Sequence, residues 1–81
     1  MAVIHYFGRF SDLAASGDMP LPAGVTDTAT LIDWLSSENA RFAEEMARPG
    51  AAVVVNQEIV RGVQTLTDRD EIAFMSALSG G

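Results

Sequence analysis

Eighty-one residues, 48% of them apolar, suffice for one modest hydrophobic core and are too few for two. The net charge of −6 repels phosphate backbones and anionic lipid, so neither nucleic acid nor membrane is an expected partner. Cysteine is absent, which excludes a disulfide framework, a thiolate metal site and a catalytic thiol; all five basic residues are arginine, which excludes Schiff-base catalysis and any isopeptide linkage to a side chain of this protein.

Residues 3–7 alternate as a first strand, with Ile4 and Tyr6 on one face and Val3, His5 and Phe7 on the other. Gly8 and Arg9 interrupt the apolar character too early for a secretory signal, and a cytosolic location is expected. Ser11 to Gly17 reads as one or two helical turns closed by glycine. The prolines of Met19-Pro20-Leu21-Pro22 confine that stretch to an edge strand or an extended loop. Asp27 or Thr28 is a good N-cap for a main helix over Ala29 to Glu38, where Leu31, Ile32 and Leu35 form the apolar stripe and Trp34 lies beside it. Arg41 to Arg48 predicts a second short helix with Phe42 and Met46 inward, stopped by Pro49-Gly50. Ala51 to Val55 is a strand, Asn56-Gln57 a turn, and Glu58-Ile59-Val60 a short return. Leu66 to Asp70 forms a turn before the final strand, Glu71 to Met75. This order predicts an α+β fold of the β-grasp type: a single domain over 1–81 in which a small mixed sheet packs against one main helix, with residues 76–81 as a flexible tail ending in Gly-Gly.

One histidine and no glycine-rich phosphate loop leave little for a catalyst acting alone. His5 reads as a histidine at the sheet surface, Asp68, Asp70 and Glu71 as turn chemistry rather than a cation site, and Glu44-Glu45 as a solvated helix face. Ser79-Gly80-Gly81 carries more information. A carboxylate is a poor electrophile, so a functional Gly81 requires another enzyme to convert it to an acyl-adenylate and then to a thioester or thiocarboxylate. Glycine lets the backbone thread a narrow channel where side chains would clash. If Ile4, Tyr6, Ile72 and Phe74 face the helix, alternation puts Phe7 and Met75 on the opposite side of the sheet, joined by Ile59, as a docking surface beside the tail.

The runs Val55-Asn56-Gln57-Glu58-Ile59-Val60, Leu66-Thr67-Asp68, Asp70-Glu71-Ile72-Ala73-Phe74 and Leu78-Ser79-Gly80-Gly81 resemble the small subunits of molybdopterin synthase, within the MoaD/ThiS group of sulfur carriers. The resemblance covers essentially the whole chain and is most specific in its C-terminal half. It implies a β-grasp, ubiquitin-like fold whose Gly81 is adenylated by a ubiquitin-activating-type enzyme using ATP and magnesium, then thiocarboxylated by a sulfur donor protein, with no cofactor held by this chain. It further implies that Leu78, Ser79 and Gly80 thread into the large synthase subunit of a heterotetramer, where two sulfur transfers turn a cyclic pyranopterin phosphate into the molybdopterin dithiolene. Family docking surfaces of this kind map onto Phe7, Ile59 and Met75. Two features depart from the family pattern. Ser76-Ala77 stands in place of a proline pair, which implies a less stiff tail, and Arg69 stands where the turn usually has glycine, which would cost about 1 kcal/mol if φ there were positive. A thiazole-pathway carrier, a ubiquitin-like protein modifier and an interaction module with an inert tail remain alternatives.

Overall fold

The computed structural model describes residues 1–76. Alternation at the start of the chain produces β1 (Ala2–Tyr6), with Ala2, Ile4 and Tyr6 buried. The chain then breaks at Gly8, whose φ of +58° opens a 3₁₀ turn, Gly8–Phe10, held by hydrogen bonds from the Ser11 amide and the Ser11 hydroxyl to the Gly8 carbonyl. The remaining elements are β2 (Gly17–Met19), α1 (Thr28–Glu38), α2 (Ala40–Met46), β3 (Ala51–Val55), β4 (Glu58–Ile59) and β5 (Glu71–Ser76). The expected helical turns over Ser11 to Gly17 are displaced. The helical turn comes earlier because fully buried Phe10 must point inward, and Gly17 opens an edge strand instead of closing a helix.

The sheet order is β2-β1-β5-β3-β4, with β1 and β5 parallel and every other pair antiparallel. The edge strand expected at the proline-containing stretch lies earlier: β2 is at the sheet edge and pairs with β1, but it ends at Met19, and Pro20 to Pro22 follow it outside any strand. Two apolar rows run across the inner face, Ile4–Ile72–Val55 and Tyr6–Phe74–Val53, and Leu31 and Leu35 of α1 and Phe42 of α2 complete the core. This is the α+β arrangement expected, a five-stranded mixed sheet with helices on one face. Ser76, expected as the first tail residue, is the last residue of β5 and pairs with Ala51. The second helix ends two residues before Arg48, and its first amides, those of Arg41 and Phe42, donate to the side chain of Asn39.

Helix α1 begins with a reciprocal cap. The Thr30 amide donates to Asp27 Oδ1 at 2.8 Å, and the Asp27 amide donates to Thr30 Oγ1 at 3.1 Å. Buried Thr28 accepts from the Gln64 amide at 3.0 Å through Oγ1, which fastens the long 60–67 segment to the start of the helix. At the base of β5, Asp70 accepts from Asn56 Nδ2 at 3.0 Å and from the Thr67 amide at 2.7 Å, so it does serve the turn. Those two bonds, Asn56 first, hold the Asp70 carboxyl below its ordinary value of 3.8, as the Thr30 bonds do for Asp27.

Because both folded-state pKa values are depressed, their stabilisation is present above the ordinary carboxylate value and is lost as pH falls through the lower folded-state values. The urea midpoint is therefore expected to hold between pH 7 and about pH 5 and to drop below about pH 4. The Asp70→Asn variant should show a smaller acid-induced drop than the parent protein. An identical pH profile for the two would show that Asp70 contributes nothing to acid sensitivity.

Arg69 is not among the residues with positive φ; among the described residues, the non-glycine positions with positive φ are Asn56 (50°) and Gln57 (71°). They form the two-residue β3–β4 hairpin turn, whose backbone needs left-handed angles at both positions to match strand twist. The tension expected at Arg69 thus lies at Gln57, which lacks the compact side chain that eases asparagine into this region. Gln57→Gly should raise stability by about 0.5–1 kcal/mol, read as an increased urea midpoint. An unchanged or lower midpoint would show that Gln57 carries no strain.

Candidate functional site

Strand periodicity creates the site by exclusion. With Ile4, Tyr6, Ile72 and Phe74 turned toward the helices, the register places His5, Ala73, Val54 and Ile59 in one row across the opposite face. No helix covers that row, and a depression of about 360 Å³ opens there, lined by His5, Phe7, Val54, Gln57, Glu71, Ala73 and Met75. Phe7 follows β1 directly; its amide still donates to the Phe74 carbonyl at 2.9 Å, so its backbone stays tied to β5 although it lies outside the strand. Phe7 is 48% exposed and Ile59 56%, both high for large apolar side chains.

Phe7 and Met75 share this depression, as alternation predicts. Ile59 lies on the same face, directly opposite Val54 in the β3–β4 hairpin, one strand beyond the depression. Gly81, Gly80, Ser79 and Leu78 lie outside the described residues. Met75 and Ser76 end β5, and Met75 lies beside Phe7 on the open face.

Sequence reading misses the polar rim of this face. His5 Nε2 lies 3.0 Å from Glu71 Oε2, and the imidazole stacks on the Phe7 ring with centroids 5.7 Å apart. Alternation puts His5 beside Phe7, but the local pattern around Glu71 points only to turn chemistry. Its side chain reaches His5 because β1 and β5 run parallel in a register that sets Val3 opposite Glu71 and His5 opposite Ala73. The described residues contain no group of three or more histidine, cysteine, aspartate or glutamate side chains able to hold a metal ion, and no helix among them is long and apolar enough to cross a membrane. The face thus offers a contact surface: an apolar floor, two exposed apolar anchors and a His–Glu pair at the rim.

A mixed sheet with a parallel central pair, helices on one face only and an open apolar face beside the last strand defines a small β-grasp protein of the ubiquitin-like class. The ThiS family matches residues 4–81, nearly the full length, and the chain belongs to the ThiS family. It is accordingly a ubiquitin-like sulfur-carrier protein, of a family whose members work with a sulfur-transfer enzyme. Comparison with curated proteins yields no match.

Proposed function

We propose that this protein is the sulfur-carrying small subunit of a molybdopterin synthase, with Gly81 as the carrier residue. In the first step the Gly81 carboxylate attacks the α-phosphorus of ATP on an activating enzyme, forming an acyl-adenylate and releasing pyrophosphate. A persulfide on a donor protein then attacks the acyl carbon and AMP departs. Reductive cleavage of the resulting S–S bond by a thiol leaves a thiocarboxylate on Gly81. Transfer of that sulfur to a cyclic pyranopterin phosphate on the large subunit, with water supplying the replacement oxygen, returns the carboxylate. Two such deliveries complete a dithiolene. ATP and magnesium belong to the activating partner, and the large subunit supplies the catalytic side chains. The reaction sequence fits a cytosolic protein.

The observation that carries this reading is the union of Phe7 and Met75 on one open face, at the end of the sheet from which the chain runs on to Gly81. A partner seated there has an apolar anchor and access to the tail together. The consecutive helices between Thr28 and Met46 supply more helical material than the shorter thiazole-pathway carriers usually have, which favours the molybdopterin branch.

The test is the intact mass of the protein after incubation with an adenylating enzyme, ATP and a sulfur donor, followed by capture assays with a large synthase subunit and with a thiazole synthase. The expected result is a mass gain equal to exchanging one oxygen for one sulfur, and retention by the large subunit. Loading with retention by thiazole synthase alone would move the protein to the thiamine branch. No loading by several competent activating enzymes would overturn the carrier role for Gly81. Phe7→Glu should leave the fold intact and cut retention by the large subunit about 10-fold or more, because it sets an unpaired charge against an apolar contact.

A further inference from the structure

Three of the five arginines of this acidic chain, Arg9, Arg41 and Arg48, line one depression of about 420 Å³ between the 3₁₀ turn and α2. Two of them are presented by the core. Arg9 precedes Phe10 and Arg41 precedes Phe42; both phenylalanines are buried, and their rings lie 5.6 Å apart. That contact fixes the two backbones relative to each other, so the guanidinium groups project from a rigid base. Arg48 is 3.3 Å from Glu45, whereas Arg9 and Arg41 have no carboxylate within ion-pair distance among the described residues. Glu44 and Glu45 also line the depression.

This mixed lining narrows the ligand. A phosphate would bring its charge close to the two glutamates. A polypeptide segment can set carboxylates against the arginines in bidentate geometry while its backbone amides face the glutamates. The position narrows it further. The 3₁₀ turn sits beside the end of β5, since a Cβ added to Gly8 would lie 4.0 Å from the Ser76 amide nitrogen. A protein that grips the tail therefore approaches within reach of Arg9.

We propose that the Arg9–Arg41–Arg48 depression receives an acidic segment of the enzyme that activates the tail, as a second contact separate from the apolar sheet face. The choice of partner rests on the sulfur-carrier reading; the preference for an acidic peptide does not. Arginines at such a rim chiefly raise the rate of encounter and set orientation.

Amide chemical shifts of the full chain, followed during titration with a capped hexaglutamate peptide, test the peptide preference directly. Changes are expected at Arg9, Leu13, Arg41 and Arg48, weakening with added salt and lost in the Arg9→Gln/Arg41→Gln double variant. Capped hexaglutamine and inorganic phosphate serve as comparisons. Response to phosphate alone, shifts scattered over the surface, or an unaltered response in the double variant would each overturn the proposal. In the loading assay, Arg9→Glu/Arg41→Glu should raise the KM of the activating enzyme for this protein about 10-fold with kcat unchanged. An unchanged KM with normal loading overturns the choice of partner. If the parent protein is never loaded, the carrier reading fails instead, and the peptide titration still decides what the depression binds.

Discussion

Gly81→Val is expected to slow sulfur loading by about 100-fold or more while leaving thermal unfolding unchanged. The body owes its core to residues between Ala2 and Phe74, so no core position changes. In the proposed carrier role the chemistry at Gly81 depends on approach. In the proposed sequence a carboxylate oxygen of Gly81 must come within bonding reach of a phosphorus atom and its acyl carbon then within reach of a sulfur atom, and a branched Cβ next to the carboxyl group obstructs both approaches. Misplacement by about 1 Å at a reacting centre costs on the order of 100-fold in rate. Glycine also reaches backbone angles closed to valine. The check is the time course of the mass gain for the two proteins under identical conditions, beside their melting curves. Loading of the variant at the parent rate would remove Gly81 from the mechanism; a lowered melting temperature would mean that the residue also supports the fold.

The largest expected loss of stability comes from Phe74→Ala. Phe74 is fully buried in β5 and meets three other aromatic rings: Phe42 edge-on at 5.0 Å, Tyr6 stacked at 5.9 Å and Phe10 tilted at 6.1 Å. It joins the central strand to β1, α2 and the 3₁₀ turn at once. Truncation removes the transfer energy of the ring and leaves a cavity whose walls belong to different elements and close poorly, for a cost of about 3–5 kcal/mol. A domain of this length has a total stability of roughly 4–12 kcal/mol. The variant is therefore expected to lose a large share of its urea midpoint, with an unchanged denaturant slope if unfolding stays two-state. A loss under about 1 kcal/mol would mean that the aromatic cluster repacks and that Phe74 is not its hub. Ala73→Gly, next in sequence but on the open face, gives a comparison in which no large side chain leaves the core.

The parts of the fold that a sequence reveals are those governed by local period and local hydrogen bonds. The start of α1 is legible to within one residue, since Asp27 and Thr28 are both capping types and Asp27 takes the cap, though its reciprocal bond with Thr30 is not foreseen; β3 is legible because Ala51 to Val55 is an unbroken apolar run. Phe7 and Met75 are legible as a pair because alternation fixes which face each residue takes once Ile4 and Phe74 are assigned inward. The displaced turn at Gly8–Phe10 is not, because glycine marks helix ends and strand starts alike, and only the burial of Phe10 decides between them. The His5–Glu71 contact joins residues 66 positions apart through a parallel register that leaves no local trace. The gathering of Arg9 and Arg41 likewise depends on the Phe10–Phe42 contact, which brings separate elements together.

The parallel centre of the sheet also governs how the protein comes into being. Strands β1 and β3 do not pair with each other; each is joined to the sheet's far side only through β5, the last strand in chain order. Before residues 71–76 are synthesised, the native strand pairs available to the chain are two separate hairpins, β1–β2 and β3–β4, and a two-stranded hairpin alone is at best marginally stable in water. Truncated translation products leave Ile4, Tyr6, Val53 and Val55 uncovered and are open to proteolysis. The open apolar face is consequently complete only on molecules whose synthesis has passed β5, so the strand order withholds that surface until the body is finished.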